Sequence, residues 1–463
     1  MSNDFFLPLG GGDEIGASCY ALSIGPTRVL IDAGMRFHSD RTFPDFAPLY
    51  QLAGGLNELT ALLLTHAHLD HCGALTRVHY EARHLPKFAT APTLDLARTM
   101  LNDALRVAQQ HRGEDWQIVD ETKMLLDEVL DSFGVLKFGE RVPLGGAGAF
   151  VTPLRAGHIL GAAGYLIEVG GRRILHTGDF SLHHQHTIVG AEFLDQVDEI
   201  DTLITESTYA YQPEYHAETV EEQQFELLET LEGSLARGGR VLIPAFALGR
   251  AQEIACLIGD WFEQGLIKPF PVRLDGLVKV VCDDYDLHRA DLQGRIRARP
   301  GHAIYNRWIQ PMPDDFYPSA RTVPYLEPMC IISSSGMLMD QTRSAVYAEG
   351  LLPNPEDTII FSGYLDDESP GYRLTALAKP RGEFQLNGRM VDVRAQVRRY
   401  HLSAHAPAIH LQQLIRTLHP KNVILIHGDY SYSGNAEFMR FRLEQERAGV
   451  HFHQSANGVP IYL

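Results

Sequence analysis

Thr65-His66-Ala67-His68-Leu69-Asp70-His71 sets three imidazoles and a carboxylate within one short run, directly after the apolar Leu62-Leu63-Leu64. Neutral imidazole nitrogens and a carboxylate oxygen are the donor set that suits zinc. A lone histidine at a strand end is ordinarily a surface or core residue. This many desolvated polar groups together are costly without a cation. A helical period would point the four side chains in several directions, so the spacing predicts a strand ending in a tight loop with its ligands turned inward.

Later segments repeat the pattern of a polar residue at a strand-to-loop edge beside glycine. His158 follows Gly157, Asp179 follows Gly178, and His427 precedes Gly428 after the apolar Val423-Ile424-Leu425-Ile426. Each alone reads as structural. With the first run, His158 and Asp179 complete a shell for two metals with the carboxylate bridging, and His427 completes the second. Asp32, before Ala33-Gly34, and Glu206, after Leu203-Ile204, are acidic residues at strand ends. His183, His184 and His186 are read as solvent-facing loop residues.

The positioning elements follow from periodicity. Short strands are expected at Phe5 to Leu7, Cys19 to Leu22, Val29 to Asp32, Gly164 to Val169 and Arg172 to His176, with a helix starting at Cys72 and amphipathic helices over 92–110 and 121–133. From Glu218 onward strand and helix alternate, with a helix over 218–235, a strand at 241–243, a helix over 249–262, and further elements at 329–332, 337–349 and 358–361. That alternation predicts a doubly wound α/β module inserted into the first domain. Within it, Ser333-Ser334-Ser335-Gly336 can hold a phosphate on backbone amides and hydroxyls or can be an N-cap cluster. Arg289, Arg295, Arg297, Arg299 and Arg307 form either a polyanion track or a solvated face.

The 463 residues exceed what one core organises, and 45% hydrophobic with 21% charged content describes a folded protein. A net charge of −18 argues against broad electrostatic capture of nucleic acid while leaving room for a local basic groove. Five scattered cysteines without a CxxC pair fit buried thiols in a reducing compartment. With no basic leader and no apolar stretch near bilayer length, the expectation is a cytoplasmic protein without membrane contact.

In their order these motifs resemble the β-CASP branch of the metallo-β-lactamase superfamily, which includes the RNase J type enzymes and the endonuclease subunit of the mRNA 3′-end cleavage complex. The resemblance places Asp32 in the first motif, His66, His68, Asp70 and His71 in the second, His158 in the third and Asp179 in the fourth. It places Glu206 and His405 in the two additional β-CASP motifs and His427 in the last, and Pro244 to Glu253 looks like the opening of the inserted domain. Gly11-Gly12-Asp13-Glu14-Ile15-Gly16 varies the glycine-rich opening, with Ala17 where arginine is common. Ending at Leu463, the chain is expected to lack the C-terminal domain of RNase J and the N-terminal RNA-binding domains of many archaeal relatives, an expectation that counts against processive 5′ exonuclease action and against dimerisation through such domains.

The resemblance implies an αββα sandwich with an inserted α/β β-CASP domain: residues 1–208 and 397–463 for the first domain, 209–396 for the insert. It implies two Zn²⁺ per chain, one on His66, His68 and His158 and the other on Asp70, His71 and His427, with Asp179 bridging. Asp32 would orient a ligand or the water, His405 would protonate the leaving oxygen with Glu206 positioning it, and Ser334, Ser335 and Gly336 would lie near RNA phosphates. The implied substrate is single-stranded RNA, cut endonucleolytically or from the 5′ end, with a homodimer or an RNA-processing protein as the partner classes. A single-stranded DNA nuclease, a small-molecule hydrolase and a non-catalytic scaffold are the competing readings.

Overall fold

The computed structural model describes residues 4–36, 41–110, 122–145, 148–212, 220–377, 382–430 and 435–463. It divides into two units: Met1–His184 with Val189–His216 and His405–Leu463, and Gln185–Ile188 with Ala217–Ala404.

The first unit is built on two seven-stranded sheets among its described residues. One runs Ile461–Tyr462, Phe5–Gly10, Cys19–Ile24, Thr27–Ile31, Ala61–Leu63, Lys87–Thr90 and Phe133–Leu136, in spatial order. The other runs His451–Gln454, Asn422–Ile426, Thr202–Glu206, Arg172–His176, Ala163–Val169, Ala149–Arg155 and Val142–Leu144. Their facing residues share one core, in which Ile31 and Leu63 of the first sheet meet Ile167, Ile174, Ile204 and Ile426 of the second. The outer faces are covered too. Helix Ala91–Gln110 packs on Lys87–Thr90 and on helix Lys123–Asp131, while helices Phe193–Gln196 and Ala436–Arg447 both pack on Ala408–Leu418. Strands buried on both faces read as continuous apolar runs rather than alternating ones, as in Phe5–Gly10. The result is an αββα sandwich.

The second unit holds a six-stranded, all-parallel sheet in the order Ile309–Pro311, Val272–Asp275, Cys330–Ser333, Val241–Pro244, Thr358–Phe361, Gln396–Arg399. This is the parallel α/β insert that the alternation of strand and helix predicts. Because Gln396–Arg399 pairs with Thr358–Phe361, the inserted sheet runs past residue 396. On the other side, Tyr209 bridges to Pro407 within the first unit, beyond the expected boundary at 208.

Two helix starts differ from the sequence reading. A helical turn begins at Leu69 rather than Cys72, so Asp70 and His71 lie on it while His66 and His68 lie on the extended segment before it. In the insert, the helix expected from Met337 begins at Arg343, because Leu338 and Gln341 sit at φ of 56° and 64°, which right-handed helix does not admit. The start of the helix expected over 218–235 lies partly outside the described residues, and its described part is Val220–Ala236.

The five cysteines are buried and unpaired. No helix among the described residues is long and apolar enough to cross a membrane. The arginine stretch is largely occupied internally. Arg289 pairs with Asp286, Arg295 and Arg299 pair with the buried Asp260, and Arg307 lies over Trp308. His186 is likewise not solvent-facing, since its Nδ1 sits 2.6 Å from Asp260 Oδ2.

Candidate active site

The site residues of the first unit gather where strands end. Asp32 follows Thr27–Ile31, and His66 and His68 follow the neighbouring parallel strand Ala61–Leu63. In the other sheet, Asp179, Glu206 and His427 stand at or just beyond the ends of the parallel strands Arg172–His176, Thr202–Glu206 and Asn422–Ile426. Carboxyl ends of parallel strands are where open α/β sheets place ligands.

Asp179 lies at the centre. Its Oδ2 is 3.3 Å from His71 Nε2, 3.7 Å from His66 Nε2 and 3.9 Å from His158 Nε2, and its Oδ1 is 3.6 Å from His427 Nδ1. His68 Nδ1 lies 3.1 Å from His66 Nε2 and 3.2 Å from His158 Nε2, and His427 Nε2 lies 3.3 Å from Asp70 Oδ2. Donor atoms within 4.8 Å of one another form the groups His66-His68-His158, Asp70-His71-His427, His66-His71-Asp179 and Asp179-Glu206-His405-His427. Neutral bases and carboxylates so packed fit divalent cations, since few protons are available to link them otherwise. Most of these side chains are buried, whereas His68, Asp70 and His405 are partly exposed and face solvent access.

Electrostatics follow from the crowding. Burial and the neighbouring His71 hold His66 well below its ordinary value, the neutral form a ligand needs. Burial alone would raise Asp70 and Asp179, yet the adjacent histidines hold both below the carboxylate range. Burial likewise opposes charging of His71, but Asp179, Asp32 and Asp70 together raise it. A cation arriving at His71 therefore displaces a proton.

Asp32 contributes to none of the four donor groups. It is fully buried, at a φ of 62°, and accepts from Thr65 N at 2.7 Å and Thr65 Oγ1 at 2.8 Å. Its Oδ2 lies 2.7 Å from His71 Nδ1, which fixes the proton on Nδ1 and leaves Nε2 directed toward the cluster. The turn carrying His71 is clamped by backbone bonds from Ser18 N to Asp70 O, Ala33 N to His71 O and Met35 N to Leu69 O. Gly34 is required there because a Cβ would fall 1.7 Å from Asp70 O.

Glu206 and His405 form a pair, with His405 Nδ1 2.8 Å from Glu206 Oε2. Burial opposes charging of His405, but Glu206 and then Asp179 outweigh it and raise the imidazole to about 9. Sequence reasoning missed Thr208. Its hydroxyl donates to Glu206 Oε2 at 2.6 Å and lies 3.1 Å from His427 Nδ1, joining the pair to the cluster. Its place two residues after Glu206 was the available signal. Ser334, Ser335 and Gly336 belong to the second unit, on the loop after Cys330–Ser333.

A sandwich with clustered imidazoles and carboxylates at its strand ends defines a metallohydrolase of the metallo-β-lactamase type. Residues 21–209 match the metallo-beta-lactamase superfamily domain, 251–374 the Beta-Casp domain, and 390–446 the Zn-dependent metallo-hydrolase RNA specificity domain. The chain is 31% identical over 451 residues to Integrator complex subunit 11 of Danio rerio, covering 95% of this chain and 71% of that one. It is 30% identical to an RNase J-like protein of Methanocaldococcus jannaschii, covering 91% of each. It is 27% identical to an endoribonuclease of Schizosaccharomyces pombe, covering 99% of this chain but only 58% of that protein. A solved structure of a protein of unknown function from Enterococcus faecalis V583 shares the fold, with a TM-score of 0.57 at 16% identity over 99% of this chain. The chain belongs to the β-CASP branch of the metallo-β-lactamase superfamily.

Proposed function

We propose that the chain is a two-zinc phosphodiesterase that hydrolyses single-stranded RNA. The observation that carries this reading is the pairing of Glu206 with His405 at the edge of a cluster that groups Asp179 with His66, His71, His158 and His427. His66, His68 and His158 would hold one cation and Asp70, His71 and His427 the other, with Asp179 shared. Cations held there would lower the pKa of a bound water and neutralise phosphoryl oxygens. Asp32 keeps His71 in the tautomer that offers Nε2. His405, held as imidazolium by Glu206, gives its proton to the leaving oxygen through Nε2.

A lactamase or thioesterase would use the same metal ligands, since fold and metal site host many reactions. The Glu206–His405 pair is the feature that favours phosphodiester chemistry. Purified, zinc-loaded protein offered labelled single-stranded RNA, single-stranded DNA and a thioester tests the reading, with RNA turned over fastest. Equal or faster turnover of either other substrate contradicts it. A cytoplasmic setting and a partner, either a second copy or an RNA-processing protein, belong to the same proposal, because a net charge of −18 leaves polyanion capture to local groups or to that partner.

A further inference from the structure

Arg289, Arg295 and Arg299 of the basic stretch are consumed by carboxylates, but Arg343, further along the second unit, is not. Its only ion pair among the described residues is a long one, 3.9 Å from Asp275 Oδ2, and its side chain is 39% exposed. Asp275 is itself committed, accepting from Tyr347 Oη at 2.9 Å and from Gly276 N at 2.8 Å. Arg343 is locked to the serine loop. The next residue, Ser344, donates its N–H to Ser334 O at 2.9 Å and its hydroxyl to Ser335 O at 2.6 Å. A Cβ on Gly276 would lie 2.7 Å from Ser334 Oγ and 3.5 Å from Arg343 Cγ, so both side chains flank one glycine floor.

Beyond the guanidinium stands an aromatic ring. Arg343 Cζ lies 5.9 Å from the centroid of Tyr317, which is 71% exposed. A singly exposed tyrosine is ordinary on a protein surface. This one continues a line of hydroxyl, guanidinium and ring, the combination that holds a single strand by its phosphate and stacks its base.

We propose that Arg343 and Tyr317 form a nucleotide subsite beside Ser334, the guanidinium taking a backbone phosphate and the ring stacking the adjacent base. The inference rests on the reading of the chain as a single-stranded RNA hydrolase. Binding of a fluorescein-labelled oligoribonucleotide is followed by anisotropy in the zinc-loaded His405→Ala chain, which keeps the strand uncut. Tyr317→Ala should weaken binding about 5- to 150-fold, the range of one lost base stack. Tyr317→Phe should bind like the parent. An abasic site walked along the strand should cancel the Tyr317→Ala effect at one position. Arg343→Gln should flatten the dependence of log K on log salt by about 0.7, one phosphate contact on a single strand. RNA binding that is equal in all these variants overturns the subsite and leaves the RNA reading standing. A parent chain that binds no single-stranded RNA overturns both.

Discussion

His405 Nδ1 and Glu206 Oε2 lie 2.8 Å apart, and the second oxygen of Glu206 accepts from Phe180 N at 2.7 Å, so the carboxylate that charges His405 is itself fixed by the segment carrying Asp179. His405→Ala should lose about 10²- to 10⁴-fold in rate, the usual worth of a general acid. It should keep its zinc by elemental analysis. Lost zinc would instead place His405 among the ligands, as its grouping with Asp179, Glu206 and His427 allows.

The pH–rate profile of Glu206→Gln tests the same pair from the other side. Glu206 raises His405 to about 9, so the acid form persists through neutrality and is lost as pH rises past that value. Cations bound nearby lower the value in both proteins. Without the carboxylate's charge the imidazole titrates lower, and the alkaline limb should move to lower pH. An unmoved limb would detach Glu206 from His405.

Thr208 joins Glu206 to His427, and removing its hydroxyl takes away the hydrogen-bond partner of His427 Nδ1. Outer hydrogen bonds of this kind are worth about 10- to 100-fold in metal affinity. Thr208→Val should show that loss in a competitive chelator titration, and Thr208→Ser should recover most of it. Equal affinities for both variants would show that the hydroxyl does not hold the ring.

Gly34→Ala tests the clamp beneath the metal-type ligands. The added Cβ meets Asp70 O at 1.7 Å, an overlap relieved only by moving backbone. Overpacking of this kind costs about 1–3 kcal/mol. Urea unfolding of the metal-free chain should show that drop, and an unchanged midpoint would mean the turn at Leu69 shifts freely.

Much of this arrangement was legible in the sequence because strand ends punctuated by glycine mark where side chains leave a sheet. Glycine beside a strand end marked His158, Asp179 and His427, the dense run of ligand types marked His66 to His71, and the alternation of strand and helix marked the parallel module of the insert. None of this showed that Asp70 and His71 ride a helical turn, since a single turn has too few residues for a period to register. Nor did it show that His186 is drawn to Asp260, 74 residues away, a pairing only tertiary structure makes. Thr208 went unassigned for the same reason, as its partner His427 comes from the far end of the chain.

The account turns on metal-dependent cleavage of a single strand. A defined 5′-labelled RNA should be cut by the zinc-loaded chain to discrete shortened products, left intact once a chelator has stripped the metal, and cut at the same positions when zinc is returned. Cleavage that persists in protein shown by elemental analysis to be metal-free would contradict it, and so would an uncut strand in protein carrying two zincs per chain.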